Sequence, residues 1–243
     1  MSDSLAITRL LNYLFGGMVA SLFHALGIPA NPATAIDNTF ALELLVAAGL
    51  IAFFVIVRMS LSVEKPGSAQ QIAEMIHDAI GGQAEQIIGH GYQSFQSFVT
   101  CIFLFVLLNN LIGLIPGVPA PTTAPVVPLG LAVLTFLYYN FHGLRAQGLV
   151  GYLKHFAGPV WWMAWLLFPI EIVSHLARVL SLTIRLYANM FASDLVTLVF
   201  FSLIPVAIPA VFLGLHVFVS VIQAFVFMLL TMIYLSLAVS HEH

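Results

Sequence analysis

Glu171-Ile172-Val173-Ser174-His175-Leu176-Ala177-Arg178-Val179-Leu180-Ser181-Leu182-Thr183-Ile184-Arg185-Leu186-Tyr187-Ala188-Asn189 sits inside an apolar run, Val160–Ile204, of about 45 residues. As one helix that run would extend about 68 Å at 1.5 Å per residue. The hydrocarbon core of a bilayer is only about 30 Å thick, so the run must be strongly tilted, bent or broken, with Pro169 a candidate bend point. Its polar members are ordered. Glu171, Ser174, Arg178, Ser181, Arg185 and Asn189 follow at spacings of 3, 4, 3, 4 and 4. On a helix they draw one polar stripe about 27 Å long, flanked by His175. Asp194 lies nine residues beyond Arg185, about 900° around the helix and therefore on the opposite face.

An amphipathic helix at the lipid–water boundary, with Arg178 and Arg185 snorkelling to headgroups, would also show such a stripe. Arg185, however, has uncharged apolar sequence on both sides and no helix end within snorkelling reach. Placing a charge there costs at least about 2.5–3.5 kcal/mol on insertion scales, which makes functional use the better default. Downstream, Pro209–Ser240 is a further apolar helix whose polar groups His216 and Gln223 are seven apart and share a face. Pro205 and Pro209 mark a turn, so the two long helices are expected to form an antiparallel hairpin. The midpoints of Asp194/His216 and Arg185/Gln223 both fall at Ile204–Pro205. One register therefore brings both pairs level, in two polar layers about 13 Å apart along the helix. Opposite faces for Asp194 and Arg185 suit two separate aqueous access paths better than one continuous pore.

The rest of the chain agrees with a membrane setting. Hydrophobic residues fill 61% of 243 positions and charged residues 7%, against about 25% charged in soluble domains. The fold class is all-α: a polytopic membrane protein of about five to six helices ending in a strongly tilted antiparallel hairpin. A β-barrel would need alternating segments of about ten residues, and these runs are continuous. Scattered basic residues and a net charge of −3 argue against nucleic acid as a partner. The lone Cys101 excludes an internal disulfide framework.

Spans are expected at about Phe40–Val57, Phe95–Ile115 and Val126–Tyr139. Between the first two, Ile72, Met75, Ile76, Ala79 and Ile80 repeat at helical spacing among Gln71, Glu74 and Asp78. This is an amphipathic surface helix over 68–89, broken at Gly81-Gly82. Pro116–Pro128 holds five prolines and no charge and reads as an extended loop; Phe141–Gly158, with His142, Arg145, Lys154 and His155, reads as an aqueous loop. Arg58 and Lys65, then Arg145 and Lys154, place those two loops in the cytoplasm, with the N-terminus outside and the C-terminus cytoplasmic. Leu10–Ile28 reads as an interfacial segment, weakened as a span by Asn12, His24 and Gly16-Gly17. The chain thus divides into an extracytoplasmic or interfacial segment, 1–39, three spans with their cytoplasmic helix, 40–158, and an ion-translocating hairpin, 159–243, turning near 205.

Arg185-Leu186-Tyr187-Ala188-Asn189-Met190 followed by Asp194 resembles the signature of the a subunit of the F-type ATP synthase membrane sector. So does His216-Val217-Phe218-Val219-Ser220-Val221-Ile222-Gln223-Ala224-Phe225-Val226-Phe227-Met228-Leu229-Leu230-Thr231. Glu171 and the serines before Arg185 match in spacing, and the region after Asn109-Asn110 is similar more loosely. The resemblance implies a non-catalytic, proton-translocating stator subunit in a bacterial cytoplasmic membrane, forming two half-channels against a ring of c subunits. Peripheral stalk b subunits, the other synthase subunits and lipid are the further partners implied. Arg185 would face the ring carboxylate, with Asn189 and Gln223 beside it. Asp194, His216 and Glu171 would belong to the proton paths, and Ser174, His175, Arg178 and Ser181 to the secondary stripe. Many bacterial members carry Glu at the position of Asp194.

No cofactor, metal or catalytic residue is expected. Nucleotide chemistry is not expected here, because no G-x-x-x-x-G-K-[ST] loop exists. A self-contained ion or solute transporter would be supported by inverted repeats, and the charged stripe occurs once. A Na⁺-coupled member of the same family stays open, since the ring carboxylate's surroundings choose the ion.

Overall fold

The computed structural model describes residues 4–25, 27–29, 31–115, 117–157, 164–203 and 207–239. They form seven α-helices: α1 Ala6–Ala25, α2 Asn38–Met59, α3 Ser68–Ile88, α4 Gln93–Leu111, α5 Val126–Ala157, α6 Ala164–Leu203 and α7 Ala207–Val239. Short 3-10 turns, Ile112–Leu114 and Pro121–Thr123, interrupt the link from α4 to α5, and no strand occurs among the described residues. Six helices are long and apolar enough to cross a membrane, all but α3. This is a polytopic helical membrane protein. Leu45, Ile51, Val55, Leu137, Val211 and Phe218 lie exposed on its surface, where lipid rather than water is the compatible solvent.

Helix α7 is the spine, packing against α3, α4, α5 and α6. It contributes to both hydrophobic clusters. One joins Ile102, Val106, Leu131, Leu186, Met190 and Phe227. The other joins Ile80, Val99, Tyr139, Met228, Met232 and Leu235. Helices α6 and α7 run antiparallel: Asn189, Met190 and Ser193 meet Gln223, Ser220 and His216 in reverse order. The expected turn near 205 falls outside the described residues.

Helix α1, expected as an interfacial segment, is 20 residues long and apolar enough to span. Its polar residues are anchored. Asn12 accepts from Ile36 N at 2.9 Å and donates to Ile36 O at 2.8 Å, and Asn38 Oδ1 accepts from Leu5 N and Thr8 Oγ1. Gly16 lies so near the Pro32 carbonyl that a Cβ would collide with it. Asp37 caps α2 by accepting from Phe40 N at 2.8 Å, as an N-terminal carboxylate should.

Three expectations change. Helix α3 passes through Gly81-Gly82 without a break, because Gly81 is needed for contact: a Cβ there would lie 2.7 Å from Gln96 Nε2, which donates to the His77 carbonyl at 2.7 Å. Of its apolar stripe, Ile80 is buried and Ile76 packs beside it, while Ile72 and Met75 stay exposed. Second, Phe141–Gly158 is no open loop; α5 continues to Ala157, interrupted only at Gly148, whose φ of 72° and ψ of 163° leave the helix. A side chain would strain that left-handed φ, so the charged tail can change direction there. Third, Pro116–Pro128 is not extended throughout. Pro121 opens a 3-10 turn, and Pro128 sits in the first turn of α5, where no intrahelical N–H is required.

Gly81→Val is expected to push Gln96 off the His77 carbonyl and loosen α3 from α4, at a cost of about 1–3 kcal/mol. Thermal unfolding of the purified protein in detergent should show a lowered Tm; an unchanged Tm would mean that the close approach is unimportant.

Candidate functional site

The polar stripe lies on α6, a single 40-residue helix with Pro169 inside it. It divides into three places along the axis.

The first place is the Glu171 end. Glu171 Oε1 stands 3.5 Å from His175 Nε2 and 3.9 Å from Arg178 Nη2. His175 is buried, and its Nδ1 is 2.9 Å from the Tyr139 hydroxyl on α5. The Arg178 guanidinium lies over the Tyr234 ring on α7, 5.4 Å from its centroid, a cation–π arrangement. Ser174 is half-buried beside this group.

The second place is Arg185. It is exposed on the outer face of α6, and no hydrogen bond or ion pair joins it to another described residue. Ala177, Ser181, Ala188 and Ala192, one and two turns to either side, are exposed too, and all are small. Leu180, Ile184, Phe191 and Leu195 complete an apolar surround. Asn189, one turn on, donates from Nδ2 to Gln223 Oε1 at 2.7 Å. The expected level pair of Arg185 with Gln223 is thus replaced by Asn189 with Gln223. The hairpin register itself is kept, since Met190 meets Ser220 and Asp194 meets His216; Gln223, buried between the helices, takes the amide one turn beyond Arg185 as its partner.

The third place is the Asp194 end. The expected pair forms: His216 Nδ1 is 3.4 Å from Asp194 Oδ1 and 2.9 Å from Ser193 Oγ. His216 is 1% exposed, and its Nε2 is 3.1 Å from the Asn110 carbonyl. A carbonyl only accepts, so Nε2 carries the hydrogen and Nδ1 is the nitrogen turned toward Ser193 and Asp194. Asn110 is itself fixed: its Oδ1 accepts from Thr122 Oγ1 at 2.7 Å and its Nδ2 points at the Ser220 carbonyl at 3.5 Å. Gly113 makes room for the imidazole, since a Cβ there would stand 3.2 Å from His216 Nε2 and 2.9 Å from the Ala120 Cβ. A cavity of about 560 Å³ opens onto Asp194 and His216, walled by Gly113–Ile115, Gly117–Pro119, Phe191, Leu198 and Leu213. It is large enough for several waters.

Asp194 and Arg185 do occupy different faces, one turned to the cavity and α7, the other to the outside. Among the described residues no cluster of three metal-ligating side chains occurs. Sequence reasoning did not assign Tyr139, Ser193, Asn110, Gly113 or Thr122. Asn109-Asn110 carried a signal, since two buried amides in an apolar span require partners. Tyr139, at a span end, carried none.

Comparison with known proteins bears on this arrangement. The family model described as ATP synthase A chain matches residues 40–236. ATP synthase subunit a of Koribacter versatilis is 51% identical over 244 residues, covering 100% of both chains. That of Solibacter usitatus is 51% identical over 206 residues, 85% of this chain and 88% of the relative. That of Sulfurimonas denitrificans is 38% identical over 225 residues, 92% and 99%. With a match that spans both the hairpin and the helices before it, this chain belongs to the ATP synthase A chain family.

Proposed function

We propose that this chain is the proton-translocating stator subunit of an ATP synthase, a non-catalytic membrane subunit that carries two half-channels and works against a ring of c subunits. The observation that carries the reading is Arg185: a fixed cation on an apolar, small-residue face, with no carboxylate of its own chain beside it among the described residues. Small flanking residues let another helix approach closely. A carboxylic acid on such a helix would supply the missing counter-charge.

The mechanism follows from solvation. A ring carboxylate moving through lipid must be protonated, because the ionised form is too costly in hydrocarbon. It releases its proton where a cation compensates the resulting charge, and the guanidinium suits this because it is far too basic to lose its charge when dehydrated. The same fixed charge repels a protonated water chain, so protons cannot pass directly from one half-channel to the other. Asn189, held by Gln223, sits one turn from Arg185 and would hydrogen-bond the passing carboxylate or the guanidinium's water. On one side the proton path would run through the cavity, Asp194 and His216. On the other it would run past Glu171. The basic loops support an orientation in which the Asp194 cavity faces outward and Glu171 faces the cytoplasm of a bacterial inner membrane. One charge crossing 100 mV releases about 2.3 kcal/mol, so several protons must be gathered per turn by a ring with repeated acids. Stalk b subunits would hold this chain still against that rotation.

Three outcomes are expected in vesicles containing the whole complex. Arg185→Ala should abolish ATP-driven proton pumping while passive proton leak persists or rises; coupled pumping at the normal rate would refute the stator reading. Arg185→Lys should not restore full pumping, because an ammonium offers no planar fork and loses its charge more readily on dehydration. Asp194→Asn is expected to slow pumping by about 10²-fold, the scale of one lost acid–base group, measured as the initial rate of vesicle acidification. A wild-type rate would remove Asp194 from the path.

A further inference from the structure

Helix α6 carries the carboxylates of two carboxylate–imidazole pairs, one on each side of Arg185, with His175 on the same helix and His216 on α7. Asp194–His216 and Glu171–His175 have closely similar separations, 3.4 Å and 3.5 Å. His175 is ten residues from Arg185 and Asp194 nine, so the pairs stand about 15 Å and about 13 Å from it along the axis. In each pair the imidazole nitrogen remote from the carboxylate meets an oxygen: the Asn110 carbonyl for His216 and the Tyr139 hydroxyl for His175. In each pair the imidazole is buried and the carboxylate more open, with side-chain exposures of 2% and 25% at one end and 10% and 37% at the other.

We propose that His175 is a proton-carrying residue of the Glu171 path, with Tyr139 as the positioning residue that holds its ring; the proposal rests on the stator reading above. In the loaded state both ring nitrogens bear hydrogen, and Nδ1–H donates to the Tyr139 hydroxyl oxygen. The Nε2–H bond then breaks as an O–H bond forms on Glu171 Oε1. Neutral imidazole retains Nδ1–H against Tyr139; Glu171, the more exposed of the two, then releases its proton to water and returns to the carboxylate, and Nε2 takes the next proton from water in the path. Tyr139 is 2% exposed and is stacked on the His175 ring at 5.9 Å, with Phe136 edge-on to both rings. The ring therefore has little freedom to swing Nε2 away from Glu171. Among the described residues, the titratable or charged groups around it include Glu171 and Arg178 on α6, Tyr139 on α5 and Tyr234 on α7. Arg178 lies 3.9 Å from Glu171 and over Tyr234, and so sets a positive charge beside the carboxylate.

The test uses the whole complex in vesicles, with co-purification of the other subunits as the check on assembly. His175→Gln keeps polar contact on both sides of the side chain but cannot carry a proton. It is expected to lower ATP-driven pumping about tenfold and flatten its pH profile, an effect within reach of a lost acid–base group partly replaced by water. Tyr139→Phe should lower the rate less and displace the profile, which a merely structural aromatic would not do. Combined with Glu171→Gln, His175→Gln should add little further loss, because the two act in one relay. Wild-type pumping across the pH range in His175→Gln, or full multiplication of the two losses, would overturn the proposal while leaving the Arg185 result intact. Should His175→Gln fail to assemble, ¹⁵N NMR of the wild-type complex labelled at histidine decides. Nδ1 is expected to stay protonated while Nε2 titrates, and an Nε2 that never changes state would overturn the proposal. If Arg185→Ala pumps normally, it is the stator reading that fails, and the two failures are therefore distinct.

Discussion

A guanidinium in a layer that cannot solvate it has to be compensated by something, and nothing in the described part of this chain compensates Arg185. The other charged and amide groups along the described hairpin have neighbours: Glu171 has His175 and Arg178, Asp194 has His216, and Asn189 has Gln223. The contrast gives Arg185 its meaning. Pairing of those intramembrane groups beside one uncompensated cation on an apolar outer face is what supports the proposal that a second protein completes it. The packing serves this arrangement. Leu182, Leu186 and Met190, on the inward face of the same turns, are buried in the core against α5 and α7, so the outward direction of Arg185 is fixed by its neighbours' burial.

The partners of the paired groups come from far along the chain. His216 is held by Asn110, and His175 by Tyr139. Helix α7 runs through both clusters and touches four other helices, which keeps the two ends of the hairpin in a constant relation. A proton path built on atoms about 3 Å apart tolerates little relative motion. The polar network at Asn110, Thr122 and Ser220 supplies local stiffness at one end, and the stacked aromatic group at Phe136, Tyr139 and His175 supplies it at the other.

Much of this was legible from residue spacing. The stripe from Glu171 to Asn189 followed from the helical period alone, and the Asp194–His216 pair followed from an antiparallel hairpin centred on the prolines. Gln223 meets Asn189 and not Arg185 because equal depth does not decide facing: Arg185 points to the outer face of α6, while Gln223 is buried between the helices. Gly81-Gly82 looked like a break because propensity cannot reveal that Gln96, in the next helix, needs the space. Charges made Phe141–Gly158 look like an open loop, but helices outside the membrane carry charge readily, and only Gly148 departs from helical geometry. Tyr139 was invisible because its partner is 36 residues away on another helix. Register within one helix is a property of the sequence; contact between helices two spans apart is a property of the packed bundle.

The length of α6 also bears on timing. Its apolar stretch, Leu167–Phe200, has 34 residues and so reaches about 51 Å, which a layer of about 30 Å contains only when the axis leans by more than about 50°. At that inclination Glu171 and Asp194 are displaced from each other by about 28 Å sideways and by only about 20 Å in depth. On the proposed reading, a neighbour sliding past along that slope would meet the two acids one after the other, with the cation in between. The order of exchange would then be set by the slope of a single rod, and reversing the travel would reverse the order.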